Sequence, residues 1–459
     1  MPKRGRILHI LSQPLKFMRA RSCAISSLSE KAYGMHLGEL NTPGKRGFVA
    51  NQPDLIKRIL VDDAANFPKA QLVSDMLEQL MGDSIFNSNG EVWKRQRRMM
   101  EPAFERARIK VVFELMLDAA DALFARLDAI ADGRECFVDR EMMQVAADII
   151  CRTIFSRPLT PHEAEVLFDA FVRYQEASFA SAVARALGVP RWATHFGWRK
   201  AARASREIRD VLDPIVIGRY TSFHSGEPQT KDDILQSLIS VKDPETDSHF
   251  DTRELCEQVA MLFIAGHETS ASALAWTLYL IAMDQSVQER MHAEAVAVFG
   301  AAKPRFQDIK RLTVTRNAFA EAMRLYPPVA FLPRTIAKTC TMRDKTMLAG
   351  QTITVSPWLI HRHRRYWAEP DAFDPDRFDR EETVETQRQC YMPFSKGQRV
   401  CLGSSFALQE AAIIVSGLVR RFKFDPVPGF VPKPVSRLTV RSANGIRLRV
   451  SRRPAAQQA

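Results

Sequence analysis

The feature that most constrains the fold is one run of residues, 251–284, that is long enough to form a single helix through the middle of a large protein. It reads DTRELCEQVAMLFIAGHETSASALAWTLYLIAMD, and Asp251 or Thr252 can cap its start by satisfying an unpaired backbone amide. At 1.5 Å per residue the helix would be roughly 50 Å long. Because Val259 to Met283 is largely apolar, the run could be a transmembrane span or the central helix of a helical core.

Polar residues in the middle of this run favour the second interpretation. Gly266, His267, Glu268, Thr269 and Ser270 lie together, at the depth where a bilayer tolerates charge least. We therefore predict a mainly α protein, with small β-sheets, built around this helix.

The middle of the run also carries a functional pattern. The small side chains of Ala265 and Gly266 let another group lie flat and close against the helix. Glu268 and Thr269 place an acid and an alcohol beside that groove, where they could pass protons inward. Thr269 also has a structural alternative, because it can bond back to the carbonyl one turn earlier and bend the helix.

The rest of the chain reads as helices, with a small β portion near each end of the sequence. It is 46% apolar and 26% charged, which is typical of a folded protein. No repeat or linker divides it, so we predict one domain over 1–459, with a basic arm at 1–33 and no fused reductase. The predicted elements are strands within 34–52, helices from Asp54 and within 106–132 and 200–220, a strand from Thr352 to Ile360, and a two-residue hairpin at Asn444-Gly445.

Charge and cysteine content limit the partners and the compartment. The formal charge is +12, but the chain has no zinc-finger spacing or aromatic RNA-binding signature, so we expect no nucleic-acid partner. Seven widely spaced cysteines without a CxxC pair favour a reducing, cytoplasmic location. The apolar run within 1–22 is too short for a signal peptide or a transmembrane anchor. We interpret it as a frayed basic arm, with loose contact to anionic lipid as the alternative.

A charged pair precedes a double proline. Glu321 and Arg324 lie three residues apart in AFAEAMRLYPP, on one helix face among apolar neighbours. An exposed pair would contribute only about 0.3–0.5 kcal/mol, whereas a buried pair needs further hydrogen bonds. Arg377 in FDPDRF could supply them, which predicts a structural network of two arginines on one carboxylate.

One cysteine lies where a glycine-containing loop becomes a helix. In FSKGQRVCLG, Cys401 is positioned so that helix-start amides would lower its pKa. A thiolate there could be a nucleophile, a zinc ligand or a haem ligand. The chain offers no neighbouring Cys or His ligands for zinc and no local His base, whereas a single soft thiolate suits haem iron. Gly397 and Gly403 would permit tight turns and close approach of a flat ring, Phe394 would cover the sulfur, and Arg399 would reach a haem carboxylate.

At this point the sequence resembles the cytochrome P450 family of haem-thiolate monooxygenases, over nearly the whole chain. FSKGQRVCLG matches the family's FxxGxRxCxG at every fixed position, and AGHETS resembles its oxygen-activating segment. The resemblance implies the family's fold, with the long helix over haem b and Cys401 as the iron ligand. It also implies structural roles for Glu321, Arg324 and Arg377, and propionate contacts for Trp93 and Arg97 in WKRQR and for Arg334 after YPPVAFLP.

The resemblance implies a reaction as well. An oxygen atom from O2 would enter a C–H bond or a double bond of a hydrophobic molecule, with Glu268 and Thr269 as catalytic proton-path residues. Electrons would come from a separate ferredoxin or flavodoxin, which we expect to dock near Lys94, Arg95, Arg98 and Lys396. Substrate contacts would come from about 70–88 and 172–198, from Met261 and Leu262, from Val329 to Phe331, and from Leu438. A peroxide-using or rearranging haem-thiolate enzyme and a non-catalytic haem sensor are the alternatives.

Overall fold

The computed structural model describes residues 23, 25–42, 45–186, 189–300 and 302–454, so residues 1–22 of the predicted basic arm lie outside the described residues. Short 3-10 turns at Ile25–Ser27 and Glu30–Tyr33 begin the described chain. The α-helices are α1 Pro53–Lys57, α2 Gln71–Met81, α3 Gly90–Met100, α4 Arg106–Val111, α5 Phe113–Asp128, α6 Val138–Phe155, α7 Pro161–Ala186, α8 Arg191–His224, α9 Ile234–Ser240, α10 Thr252–Met283, α11 Gln285–Phe299, α12 Thr313–Leu325, α13 Pro357–Ile360, α14 Val384–Cys390 and α15 Ser404–Arg421.

The mainly helical class predicted from the sequence is confirmed, and α10 is its central element. Asp251 forms a capping box with Glu254, in which each side chain bonds the other residue's backbone amide. Of the 32 residues of α10, 24 are buried, because α6, α8, α12 and α15 pack around it. Among the described residues, we found no helix long and apolar enough to cross a membrane.

The small sheets lie at the edges of this helical body. A four-stranded sheet has the order β1-β2-β7-β4, with β2 and β7 parallel, and a three-stranded sheet has the order β3-β11-β8. Two-stranded pairs form from β5 with β6 and from β9 with β10. The strands are β1 Leu37–Thr42, β2 Lys45–Ala50, β3 Asp132–Phe137, β4 Leu332–Thr335, β5 Cys340–Met342, β6 Lys345–Met347, β7 Thr352–Val355, β8 Phe422–Pro426, β9 Pro434–Ser436, β10 Val440–Ser442 and β11 Arg447–Arg452.

Two local predictions were wrong. The strand predicted from Thr352 to Ile360 ends at Val355, because Pro357 starts a short helix that Ser356 caps. The hairpin predicted at Asn444-Gly445 does not form: β10 pairs with β9, while β11 pairs with β3 and β8. Only Gly445 has a positive φ, of 74°, and the Asn444 side chain instead accepts a hydrogen bond from the Lys433 amide (2.8 Å).

A buried ionic network ties α12 to the segment that leads to Cys401. Glu321 accepts from Arg324 (2.7 and 2.8 Å) and from Arg377 (2.9 Å), and all three side chains are at most 2% exposed. Arg324 also donates to the His361 carbonyl (2.8 Å), and the His361 ring accepts from the Met392 amide (2.9 Å). The network thus connects a core helix to the start of the cysteine loop.

Candidate functional site

The loop that carries Cys401 closes on itself just before α15. The Cys401 amide donates to the Phe394 carbonyl (2.9 Å), which joins the two ends of the loop. Cys401 keeps exposed surface, in contrast to Cys151, Cys256 and Cys390, which are buried. The loop therefore presents its thiol instead of packing it.

The two loop glycines have different reasons for being glycine. Gly397 has φ +73°, and a Cβ added there would lie 2.0 Å from the Leu60 carbonyl oxygen. Backbone cannot move aside cheaply, so this position needs glycine for its turn and for its contact with the π-helical turn Arg58–Asp62. At Gly403 an added Cβ would meet no described atom within 4 Å. Protein packing does not explain that glycine, and space for a bound group would.

The electrostatics of the thiol differ from the sequence-based expectation. Desolvation raises the pKa of Cys401, although the Gly403 backbone amide and Arg97 act to lower it. The predicted lowering by helix-start amides is present but smaller than the cost of removing water from a thiolate. A bound metal ion reverses this balance, because coordination displaces the thiol proton.

A group of cations that have no acidic partner among the described residues lies next to the loop. Arg334 is 6% exposed, and within the described ranges its guanidinium donates only to the Pro333 carbonyl (3.1 Å). Arg399 donates to Ser88 and Asn89, while its Nη1 is buried with no hydrogen-bond partner among the described residues. Burial lowers the pKa of both arginines to about 10. Such a group needs an anion to offset its desolvation.

Lys69 completes this group, and it is a residue that the sequence motifs did not indicate. It pairs through its backbone with Arg334, and its ammonium lies over the Phe86 ring, 3.6 Å from the centroid, and donates to the Phe86 carbonyl. Burial, with the charges of Arg399 and Arg334, places its pKa well below the usual value. A single lysine between Pro68 and Ala70 carries no motif, so only its three-dimensional neighbours reveal it.

Trp93 and Arg97 both lie on α3, beside the same loop. The Arg399 guanidinium stacks over the Trp93 ring, 4.4 Å from its centroid. Arg97 donates to the Val400 carbonyl (2.8 Å) and to Glu101 (3.1 Å). The structure therefore brings both predicted residues to the cysteine loop, with Arg97 already engaged by protein groups.

The middle of α10 presents one accessible face within a buried helix. Ala265, Gly266 and Thr269 keep partial exposure, whereas the residues around them are buried. The Thr269 hydroxyl donates to the Ala265 carbonyl (2.7 Å), which is the structural alternative considered above. A Cβ added at Gly266 would lie 2.4 Å from the Ile150 methyl carbon, so packing against α6 also favours glycine there.

Glu268 is not a free acid in this arrangement. It is 2% exposed and accepts hydrogen bonds from Arg441 on β10 and from the Thr439 hydroxyl. Burial alone would raise the pKa of Glu268, but the Arg441 guanidinium outweighs burial and lowers it. Glu268 is therefore a carboxylate, and the sequence motif did not show this partner because Arg441 lies far along the chain.

A second buried acid lies behind α10. Glu410 on α15 is 1% exposed; its Oε2 accepts from Ser270 (2.9 Å), and its Oε1 has no partner among the described residues. Burial raises the pKa of Glu410 to about 8, although the bond from Ser270 opposes the shift. Glu410 is therefore protonated at neutral pH.

This protonation makes stability depend on pH. Since the folded pKa of about 8 exceeds the ordinary value of 4.5, Glu410 binds its proton more tightly in the folded state. Its contribution to stability is full below pH 4.5 and is lost as pH rises towards 8, at about 1.4 kcal/mol per pH unit. As pH rises from 5.5 to 7.5, wild type should lose unfolding free energy and Glu410→Gln should not. The difference in unfolding free energy between the two, measured with urea, should therefore shift by about 2–3 kcal/mol in favour of the variant. Parallel pH profiles of wild type and variant would contradict this.

The residues present fit the group that the resemblance implies. Haem carries two carboxylates and an iron that accepts a thiolate, and the site offers an exposed cysteine beside cations that are at least partly buried and lack acidic partners in the described part of the chain. Arg399 Nη1, which has no hydrogen-bond partner among the described residues, and Gly403, where an added Cβ would meet no described atom within 4 Å, lie in the same loop. Ala265, Gly266 and Thr269 form the accessible face of the central helix that could lie over such a ring.

Comparisons of the whole chain with known proteins bear on its family and its fold. The family model described as Cytochrome P450 matches residues 28–449. Among solved structures, the crystal structure of the cytochrome P450DA heme domain aligns with TM-score 0.80 and 25% identity, covering 91% of this chain and 90% of that one.

Three curated relatives match most of this chain, and two of them are named as oxygenases. Cyclooctatin synthase of Streptomyces melanosporofaciens is 28% identical over 444 residues, 96% of this chain and 92% of the relative. Cyclooctat-9-en-7-ol 5-monooxygenase of the same organism is 28% identical, over 94% of this chain and 89% of the relative. Pentalenene oxygenase of Streptomyces avermitilis is 27% identical, over 100% of this chain and 97% of the relative.

Proposed function

This chain belongs to the cytochrome P450 family and is a haem-dependent monooxygenase, and on that basis we propose that its substrate is a hydrophobic terpenoid. The reaction uses O2 and an electron donor. The observation that carries the assignment to this site is an exposed Cys401 beside one buried and two partly buried cations that have no acidic partner among the described residues.

We propose that the cofactor is haem b and that Cys401 is its iron ligand. Arg334, Arg399 and Lys69 would hold the two propionates, because they lie together beside the loop, are at least partly buried and have no acidic partner among the described residues. Trp93 would keep Arg399 in place by stacking, and Arg97 would support the loop through the Val400 carbonyl. Phe394 would cover the sulfur, and Gly397 would fix the turn.

When bound, haem supplies the centre where O2 takes up two electrons and two protons, so that one oxygen enters the substrate and the other leaves as water. The chain's part is to deliver the protons. We propose that they reach the carboxylate of Glu268 from the side of Arg441, whose side chain is 23% exposed, and pass to the Thr269 hydroxyl. Thr269 must then turn its hydroxyl away from the Ala265 carbonyl.

We expect Thr269→Ala to retain haem but to release most of its reducing equivalents as hydrogen peroxide, because the hydroxyl that would deliver protons is gone. Oxygen uptake, peroxide and hydroxylated product should be measured in the same reaction. Thr277→Ala is the matched control, since Thr277 makes the same bond to a carbonyl one turn earlier, to Ala273 (2.7 Å), elsewhere on α10. Unchanged coupling in Thr269→Ala would refute the proton path.

The substrate class is proposed from the relatives and from the apolar lining. Pentalenene oxygenase and cyclooctat-9-en-7-ol 5-monooxygenase are named for terpenoids. On α10, Met261 and Leu262 are apolar and are 5% and 8% exposed. A site lined in this way binds hydrophobic molecules with few polar contacts. Not all of the predicted 172–198 segment faces inward, because Trp192 and Phe196 are exposed on the surface.

A binding screen tests this substrate class. Pentalenene, cyclooctat-9-en-7-ol and the fatty acid laurate should be titrated into the haem-loaded protein, followed by product analysis with a surrogate ferredoxin system. We expect spectral shifts and oxygenated products with the terpenoids and not with laurate. Turnover confined to laurate would refute the terpenoid class without touching the monooxygenase assignment. Turnover driven only by peroxide would favour the peroxide-using alternative.

We propose a ferredoxin or flavodoxin as the electron donor. The cations predicted to attract it are less free than the sequence suggested. Arg95 bonds Glu254, and Arg98 bonds Asp243 and Glu245, so these two are mainly internal. Lys94 is 53% exposed and pairs with the more exposed Glu91. Lys396 donates to the carbonyls of Arg388 and Gln389.

We expect docking of an acidic donor to show as a fall in the rate of haem reduction with rising ionic strength, because salt screens surface charges. Lys94→Gln should lower the rate at low salt and flatten the salt response, whereas Arg98→Gln should do so less. Lys310→Gln, at an exposed lysine on another part of the chain, is the control. Stopped-flow reduction measures the rates, and a flat response in wild type would contradict steering.

We also propose that the chain is one haem domain working in the cytoplasm. All seven cysteines are free, which suits a reducing compartment.

A further inference from the structure

The first three to four turns of α8 present an exposed face that the monooxygenase reaction does not use. We call it the α8 face: Trp192, Phe196, Arg199, Lys200 and Arg203, which recur at helical spacing on one side of the helix. Trp192 is 81% exposed and Phe196 is 72% exposed, and both are among the most exposed large apolar side chains of the described chain. Aromatic residues so exposed on a folded protein indicate an interaction surface.

The opposite side of α8 explains why this face points outward. Thr194, Ala201, Ala204 and Ser205 are buried, and a Cβ added at Gly197 would lie 2.3 Å from the Ser181 hydroxyl on α7. Packing between α7 and α8 therefore fixes the rotation of α8. The aromatic and basic side is left outside by the helix's own core contacts.

The charge around the α8 face has one sign. Residues 177–206 contain six Lys or Arg and no Asp or Glu. Arg203 pairs with Glu207 (3.4 Å), whereas Arg199 and Lys200 make no ion pair within the described ranges. The Lys200 ammonium lies 4.8 Å from the centroid of the Phe196 ring, so cation and aromatic ring share one surface.

A second segment has the same character. Residues 1–29 also contain six Lys or Arg and no Asp or Glu. Together the two segments carry the whole net charge of +12, so the rest of the chain is neutral on balance. The excess charge is thus concentrated in two acid-free segments that also hold apolar residues, and is not spread along the chain.

Contacts of Cys23, which belongs to residues 1–29, place that residue near α7. The Cys23 thiol accepts from the Ser436 amide on β9 (3.4 Å), and Arg437, the next residue, donates to Glu176 on α7 (3.0 Å). Cys23, the first residue that the structure describes, therefore lies near α7, which packs against the helix that carries the α8 face.

We propose that the α8 face is a docking surface for an anionic lipid bilayer. Exposed Trp and Phe enter the headgroup region, while Arg199 and Lys200 meet lipid phosphates. In residues 177–206 and again in residues 1–29, basic and apolar residues are interspersed without a single acid, a composition typical of segments that lie on anionic lipid. The α8 face would hold the enzyme where hydrophobic molecules accumulate.

Vesicle sedimentation of the full-length, haem-loaded protein tests the proposal. Vesicles of phosphatidylcholine with phosphatidylglycerol should bind it, and vesicles of phosphatidylcholine alone should bind it much more weakly. Arg199→Gln with Lys200→Gln should weaken binding about thirtyfold, given the attraction of each cation to anionic lipid. Trp192→Ser with Phe196→Ser should also weaken it, and brominated lipid should quench wild-type fluorescence more than that of Trp192→Phe.

Matched variants control for the loss of positive charge and of exposed apolar surface elsewhere on the protein. Lys310→Gln with Arg316→Gln removes two exposed cations elsewhere, and Val431→Ser changes an apolar side chain that is 65% exposed. Both should bind vesicles within about twofold of wild type. Haem content and unfolding curves show that each variant folds. The proposal is overturned if wild type ignores the anionic vesicles, if the controls lose as much as the α8 variants, or if only Arg4→Gln with Arg6→Gln abolishes binding.

Discussion

Cys401→Ser should abolish monooxygenase turnover and remove the sulfur-ligated spectrum of the reduced carbon-monoxide complex, while leaving the fold intact. A serine hydroxyl is a hard, weakly acidic donor and does not replace a soft thiolate on iron. The fold should survive because Cys401 has exposed surface and because the loop is closed by its backbone amide to the Phe394 carbonyl. The measurements are haem content, the carbon-monoxide difference spectrum and product formation.

Cys340→Ser is the matched control. Cys340 is a partly exposed free cysteine on β5, outside the loop, and its change should leave spectrum and turnover at wild-type values. If Cys401→Ser kept the sulfur-ligated spectrum, another cysteine would be the ligand and the site described here would be wrong. If it failed to fold, the circular dichroism of the variant would show it.

Glu321→Ala should cost about 3–5 kcal/mol of unfolding free energy, because it leaves two buried arginines without their shared carboxylate. That is a large part of the roughly 5–15 kcal/mol that stabilises an ordinary domain. The effect should reach the site: Arg324 holds the His361 carbonyl, and the His361 ring holds the Met392 amide at the start of the loop. We therefore expect reduced haem retention along with a lower urea midpoint.

A second Glu-Arg pair with the same sequence spacing serves as a control. Because that pair is exposed, it separates the effect of burial from the effect of pairing. Glu385 and Arg388 are also three residues apart on a helix, but their side chains are 58% and 72% exposed. Glu385→Ala should cost no more than about 1 kcal/mol. Glu321→Gln keeps the size of the side chain and loses its charge, so it should destabilise more than Glu385→Ala. Equal costs for the Glu321 and Glu385 variants would contradict a buried network.

The sequence anticipated the parts of the fold that are encoded locally. The length, cap and apolar character of α10 are set within the run 251–284, so the central helix follows from the residues themselves. The motif around Cys401 is likewise continuous, since the positive φ at Gly397 and the following helix are set by neighbouring residues, whereas the contact of Gly397 with Leu60 is not. The strand at Thr352 was placed correctly but was extended past a proline that ends it.

Contacts between residues that lie far apart in the sequence could not be predicted from local sequence patterns. Asn444-Gly445 has the composition of a hairpin turn, yet β10 and β11 find better partners elsewhere, because register and sheet order depend on the whole fold. The same holds for Lys69, which becomes meaningful only beside Arg334 and Arg399, and for the pKa of Cys401, where desolvation outweighs the helix-start amides.

The sequence alone determined that this protein has a long buried helix with an acid and an alcohol at its centre and one cysteine in a tight loop before another helix, because hydrophobic periodicity and turn chemistry act over a few residues. Only the tertiary structure decided that Glu268 is a carboxylate held by Arg441, that Glu410 keeps its proton, and that Trp192 and Phe196 face outward. Charge state and exposure depend on which distant groups remove water or supply a counter-charge, and those groups meet only when the chain has folded.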